Sequence, residues 1–197
     1  MVAKQKILPM VNVKRLYVAR LTKEDDEISY DKPRYLEGVR QISIKPKQSS
    51  DPYYHEGRKI LDEKTLQDIA VALNLTDLTD EDECYVMGHK LAEGGGVIRN
   101  DNDIAPPLAI MYEAEKAQGG TRYGILYAGT FGLPDEDIKA KEGKSNFQDK
   151  KIEASFRPLS NGLWSYKVDN DSPNVTEETL KNFFNQVTIP KEKAESH

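Results

Sequence analysis

Apolar and polar residues alternate with a period of two along most of this chain, the spacing of strands that pack one face. In RLYVARLT (15–22), Leu16 and Val18 oppose Arg15, Tyr17 and Ala19, and in QISIKP (41–46), Ile42 and Ile44 share a face. PLAIMYEAEK (107–116) sets Leu108, Ile110, Tyr112 and Ala114 against Ala109, Met111, Glu113 and Glu115. RYGILYAGTF (122–131) predicts Tyr123, Ile125, Tyr127 and Phe131 on one side. KIEASF (151–156) and WSYKV (164–168) repeat the pattern through Ile152, Ala154 and Phe156, and through Trp164, Tyr166 and Val168. Turn residues separate the runs: EGGG at 93–96, QGG at 118–120 and SNG at 160–162. This reads as antiparallel sheet with one wet side. The pattern predicts a mainly β protein of two packed antiparallel β-sheets, a sandwich or barrel.

Two stretches carry helical spacing instead. In SPNVTEETLKNFFNQV (172–187), Leu180, Phe183, Phe184 and Val187 recur at helical intervals behind a Thr176 N-cap and an acidic first turn of Glu177 and Glu178. LTDEDECYVMGHK (78–90) predicts a shorter flanking helix, capped by Thr79 or Asp80 and stopped by Gly88. LDEKTLQDIAVALNL (61–75) is ambiguous. Leu66, Ile69, Ala70 and Leu73 fit a helix, whereas Ile69, Val71, Leu73 and Leu75 fit a strand.

A length of 197 residues (22.3 kDa) suits a single domain. Within it, residues 1–12 read as an N-terminal arm, 45–64 and 136–150 as extended loops, and 191–197 as a flexible tail. Charged residues make up 31% of the chain, yet the net charge is only -5, which argues against the concentrated basic surface of a duplex-DNA binder. Cys84 is the lone cysteine, so an oxidised, disulfide-framed scaffold is excluded. The N-terminal MVAKQKILPMVNVKR lacks a signal-peptide apolar run, and no stretch approaches the roughly 20 apolar residues that cross a bilayer. The expectation is a soluble protein that stays in a cytoplasm until assembly, with no membrane partner.

Candidate chemistry is sparse. His55, His89 and His197 are scattered and read as surface or tail histidines, and Cys84 reads as a small buried hydrophobe. Gly143, Lys144 and Ser145 end like a phosphate loop, but Ile138 stands where that motif needs glycine. RNDNDIAPP and VDNDSPN fail as calcium loops, with Ala105 and Pro173 at the fifth ligand position. The acidic run TDLTDEDE reads as a solvated helix start. No catalytic, metal or cofactor site emerges, and the chain reads as a non-enzyme.

A chain of many strands and long charged excursions, without a reaction centre, is most simply an assembly protein. Exposed strand edges invite another chain, and long loops inside a small domain need a purpose. The candidate inter-subunit contacts are Tyr53, Tyr54 and His55 in the first excursion, and Lys141, Lys144, Phe147 and Gln148 in the second. Aromatic residues in polar loops are common interface anchors.

Eight segments in order carry a resemblance: VKRLYVARLT, LEGVRQISIKP, DLTDEDECYVMGHK, GGGVIRNDNDIAPPLAIMYEAEK, RYGILYAGTF, DEDIKAKEGKSNFQ, WSYKVDNDSPNV and FFNQV. Together they span about Val11 to Pro190, and the chain resembles the major tail proteins of long non-contractile phage tails from phages and prophages of Gram-positive bacteria. The resemblance implies two packed sheets with a flanking helix and a strand over 66–75. It also implies closed hexameric rings that stack into a hollow tail tube in the virion. Implied partners are other copies of the chain, a tape-measure protein, tail terminator and baseplate components, and viral DNA passing transiently through the lumen. Rival readings are another ring-forming tail component and a carbohydrate-binding sandwich that stacks sugars on Trp164, Tyr166 and Tyr53. Duplex affinity grows with each phosphate that Lys or Arg neutralises, so a tube that passes DNA needs an acidic lining. In a reconstruction of the tube, Asp and Glu are expected to dominate the lumen surface; a strongly positive lumen potential overturns this.

Overall fold

A computed structural model describes residues 5–25, 27–56, 58–136, 138 and 149–192. In chain order the strands are β1 (Met10–Lys23), β2 (Ser29–Tyr30), β3 (Arg34–Leu36), β4 (Val39–His55), β5 (Arg58–Leu75), β6 (Lys90–Leu91), β7 (Val97–Ile98), β8 (Leu108–Lys116), β9 (Thr121–Phe131), β10 (Lys150–Arg157) and β11 (Ser165–Asp169). The helices are α1 (Asp80–Met87) and α2 (Glu177–Lys181). The protein is mainly β, as the alternation predicts, and the ambiguous 61–75 segment is strand throughout.

Among the described residues, nine strands form one antiparallel sheet in the order β2-β1-β8-β9-β10-β5-β4, with β3 added to β1 and β11 added to β9. β6 and β7 make a separate two-stranded sheet. The expected two layers are thus branches of one hydrogen-bonded sheet. It branches at β9, whose first half pairs with β11 (Leu126 opposite Ser165) and whose last residues pair with β10 (Phe131 opposite Ala154). The sheet also curls until β4 approaches β1. Its inner face closes over Leu16, Val18, Ile69, Leu73, Ile110 and Phe156, and Val86 and Met87 of α1 pack against that cluster. The outer face of β8, β9 and β11 carries Met111, Ile125, Tyr127 and Val168 beneath the C-terminal Phe183 and Phe184. Packing on both faces explains why Ala109 and Met111, placed by periodicity on the wet side, are fully buried.

A bulge corrects the expectation for β9. Leu108 lies opposite Gly129 while Ile110 lies opposite Leu126, so three steps of β9 match two of β8. An extra residue in one strand reverses the facing of everything beyond it. Phe131 therefore joins the inner cluster with Leu126, while Tyr127 and Ala128 stay with Ile125 outside.

Thr79 caps α1, its hydroxyl accepting from the Asp82 amide at 3.2 Å. Gly88, at φ 77°, ends the helix with its N–H on the Cys84 carbonyl at 3.0 Å. Arg20 supplies a second C-terminal cap, donating to the carbonyls of Cys84 (3.1 Å) and Tyr85 (2.7 Å) and lying over the Tyr85 ring. α2 stops at Lys181, earlier than the 172–187 periodicity predicts. Asn182 breaks the pattern with a turn closed by Asn185, yet Leu180, Phe183, Phe184 and Val187 still pack in one cluster, Phe183 against Tyr123 and Phe184 against Tyr17. The N-terminal arm is also shorter than expected, because residues 10–12 already belong to β1 and pair with β8.

Gly129 faces the ring of Phe156 directly across the ladder, and a Cβ there would lie 2.2 Å from ring carbons that are themselves buried. Gly129→Ala is expected to destabilise the fold by about 1–3 kcal/mol through overpacking, measured by chemical denaturation.

Candidate interaction surface

The β4–β5 ladder runs from Val39 opposite Leu75 to His55 opposite Arg58. β10 accompanies β5 only from Leu75 to Ile69. Past Ile69 the two strands continue alone, and every described residue from 50 to 65 is exposed. Pro46 lies opposite Ile69, so the nine residues on to His55 project the hairpin about 30 Å from the body at the usual strand rise. The 45–64 region is therefore ladder rather than loop. Neither face is buried there, so the sequence shows no alternation, yet the backbone still pairs. The turn passes through Glu56 at φ 50°. Asp62 ties the hairpin together, accepting from Lys59 Nζ at 2.6 Å and from the Ser50 hydroxyl.

Tyr53 (62% exposed) stands opposite Leu61 (50%), Tyr54 opposite Lys59 on the other face, and His55 closes the ladder opposite Arg58. Ile60, exposed as well, is the bulged residue between these pairs. One pair further in, on the Tyr53 face, Asp51 lies opposite Glu63. The hairpin's described ion pairs, Lys59 with Asp62 and Lys47 with Asp68, leave both of these carboxylates aside. Like charges placed directly opposite weaken a ladder, and a lone two-stranded hairpin is marginal in water.

The other candidate contacts, Lys141, Lys144, Phe147 and Gln148, lie outside the described residues. The following Asp149 bonds Arg40 at 2.6 Å, beside the start of β4. Arg40 and Tyr53 are 13 residues apart on one strand, about 43 Å, so Asp149 and the hairpin tip lie at opposite ends of β4.

Near that start of β4 the inner sheet face carries charge instead of core. Ala114 lies opposite Arg122 and Arg122 opposite Asp169; Tyr112 lies opposite Gly124 and Gly124 opposite Lys167. Directly opposed residues share a face, so these side chains make one floor. Over it, Lys6, Lys116, Arg122, Lys167 and Asp169 line a cleft of about 340 Å³ walled by residues 5–8, and Asp171 accepts from the Lys6 amide at 2.7 Å beside it. Asp169 is 3% exposed and takes Lys116 Nζ together with a fork from Arg122 (2.7 and 3.0 Å). Gln5 adds a bond at 2.8 Å. The Arg122 hydrogen bond, reinforced by Lys116, holds the Asp169 carboxyl down at about 2 despite its burial. Arg122 also lines a groove of about 410 Å³ between Met10–Val13 of β1 and Arg40–Ile44 of β4, where Asn12, Arg40 and Gln41 stand among the apolar Met10, Val13, Ile42 and Ile44.

Several other sequence readings change. His89 is buried, not superficial, with Nδ1 2.8 Å from Asp103. Asp103 titrates below the ordinary range because the Asn100 amide and then His89 bond it. The acidic helix start is paired rather than solvated: Asp82 bonds Arg34 at 2.5 Å, and buried Glu83 meets Arg99 at 2.7 Å and Lys150 at 3.5 Å. Cys84 is buried, as expected, and burial raises its thiol. Trp164 packs on the inner cluster, Tyr166 on the outer one, and Tyr53 on the hairpin, so the three do not form one stacking platform. Among the described residues no group of three or more His, Cys, Asp or Glu side chains is placed to hold a metal. No family model matches the chain, and no curated protein matches it.

Removing Asp169 strands a buried lysine. Asp169→Asn is expected to destabilise the protein by about 3–5 kcal/mol at neutral pH, the range for breaking a buried pair. The sign with pH follows from the depressed carboxyl. Its contribution is complete above about pH 4, the unfolded value, and is lost as pH falls toward 2, so denaturation midpoints of wild type should drop across that window more steeply than those of the variant.

Proposed function

We propose that this chain is the tube subunit of a long, non-contractile phage tail, a structural virion protein that builds stacked hexameric rings around a channel for DNA. The observation that carries the reading is the bare hairpin. Two strands leave the body by about 30 Å with Tyr53, Leu61, Tyr54 and Ile60 in water, and no core formed by the described residues lies beneath them. An exposed aromatic and aliphatic surface of this kind marks an interaction site. The hairpin and the basic cleft lie at opposite ends of β4, which suits a head-to-tail contact between copies, one that propagates along an axis instead of closing on itself. The sequence resemblance supplies the ring number, the virion and the DNA channel.

Electron microscopy of the purified protein tests this. Long tubes are the expected result, single rings indicate a terminator or connector, and uniform small particles overturn the reading. Tyr53→Ser with Leu61→Ser is expected to raise the concentration needed for assembly by about tenfold or more, the loss of one interface anchor pair, with thermal stability unchanged. Hairpin amides over 47–64 should exchange more slowly in the tube than in the free subunit; equal protection counts against assembly through this element.

A further inference from the structure

The acidic face of the hairpin and the basic cleft are complementary, and one chain cannot bring its own pair together. Asp51 and Glu63 sit side by side on an exposed ladder with no described cation against them, next to Tyr53 and Leu61 on the same face. Lys6 and Lys167 are exposed and make no described ion pair, because Asp169 in that cleft is already engaged by Lys116 and Arg122. Beside these lysines, through the shared Arg122, runs the mixed groove whose apolar side is Met10, Val13, Ile42 and Ile44. The donor face thus reads acidic pair then apolar pair, spaced two residues or about 7 Å, and the acceptor reads cations then apolar groove. Asp51 is eleven residues beyond Arg40 on the same strand, about 36 Å from the groove, so the hairpin cannot fold back onto its own cleft.

We propose that the Asp51/Glu63 face of the hairpin docks in the Lys6/Lys167 cleft of a second copy of this chain, with Tyr53 and Leu61 covering that copy's apolar groove. This rests on the self-assembly reading above and names its acceptor. Docking relieves the carboxylate repulsion within the hairpin and places cations against it. Because the ionic part is partly exposed, the contact weakens as salt rises. The acceptor is complete in the free subunit, so docking needs ordering of the hairpin but no opening of the body.

Charge reversal of the full-length protein separates the outcomes, since all four ionic side chains are exposed. Sedimentation velocity at low salt should show association weakened about tenfold or more by Glu63→Lys alone and by Lys167→Glu alone, the effect of one like-charge contact. Glu63→Lys and Lys167→Glu combined in one chain should recover most of that loss, with unfolding temperatures unaltered throughout. Single variants that associate like wild type, or a combined variant as weak as the two losses added, overturn the docking pair. Tubes that still form in those variants would leave the tail-tube reading standing and refute only this acceptor. A wild-type chain that stays monomeric at every concentration overturns both.

Discussion

The hydrogen-bonded ladder between β4 and β5 continues for about twice the distance over which anything packs beneath it. From Val39 to Pro46 the ladder roofs the inner cluster, where β5 contributes Ile69, Val71, Leu73 and Leu75. Leu66, opposite Gln48, is the last to reach that cluster, and from Ser50 onward the same backbone pairing persists with every described residue exposed up to Thr65. Backbone pairing is roughly neutral in net free energy once water is counted, and burial of apolar surface is what makes a sheet stable. The outer half of this ladder is therefore held by its inner half and by a few ionic contacts such as Lys59 with Asp62. The rest of the molecule follows from that imbalance: a well-buried body carrying an arm with little apolar burial of its own.

The body earns its rigidity through a branched sheet. β9 serves β8 on one side and divides the other between β11 and β10. That division gives two apolar layers without a second large sheet, and the bulge between Leu126 and Gly129 assigns Phe131 to one layer and Tyr127 to the other. Charges are treated the same way. Helix α1 is anchored by Val86 and Met87 in the inner cluster, by Arg34, Arg99 and Lys150 on its acidic turn, and by Arg20 at its other end. Where the apolar floor ends near Ala114, the triad of Lys116, Arg122 and Asp169 takes over.

Much of the body was legible in the sequence because its strands bury alternate residues. KIEASF is the clearest case, since Ile152, Ala154 and Phe156 face in while Glu153 and Ser155 face water. The caps of α1 were equally legible, because Thr79 and Gly88 act through local backbone geometry. The hairpin was not, since a strand exposed on both faces leaves no period to read. Nor was the bulge in β9: it is a shift in register against β8, seen only once Leu108 is paired with Gly129 and Ile110 with Leu126. Tyr53, Tyr54 and His55 were singled out for their composition, and the structure shows them exposed near the hairpin tip. Lys6 and Lys167 were missed entirely. They lie at opposite ends of the sequence: β11 pairing with β9 places Lys167, and the bonds of Gln5 to Asp169 and of the Lys6 amide to Asp171 hold the N-terminal segment beside it.

β4 is an outermost strand of the sheet, and Pro46 and Pro52 lie within it. Each proline lacks an amide hydrogen, and prolines in edge strands leave that gap on the open side. A foreign strand laid along β4 would meet two missing donors six residues apart, so indefinite in-register zippering of the kind that builds amyloid is interrupted. The longest free edge of this molecule thereby carries its own safeguard against fibrous misassociation, while the side chains of the same strand remain available for selective contacts.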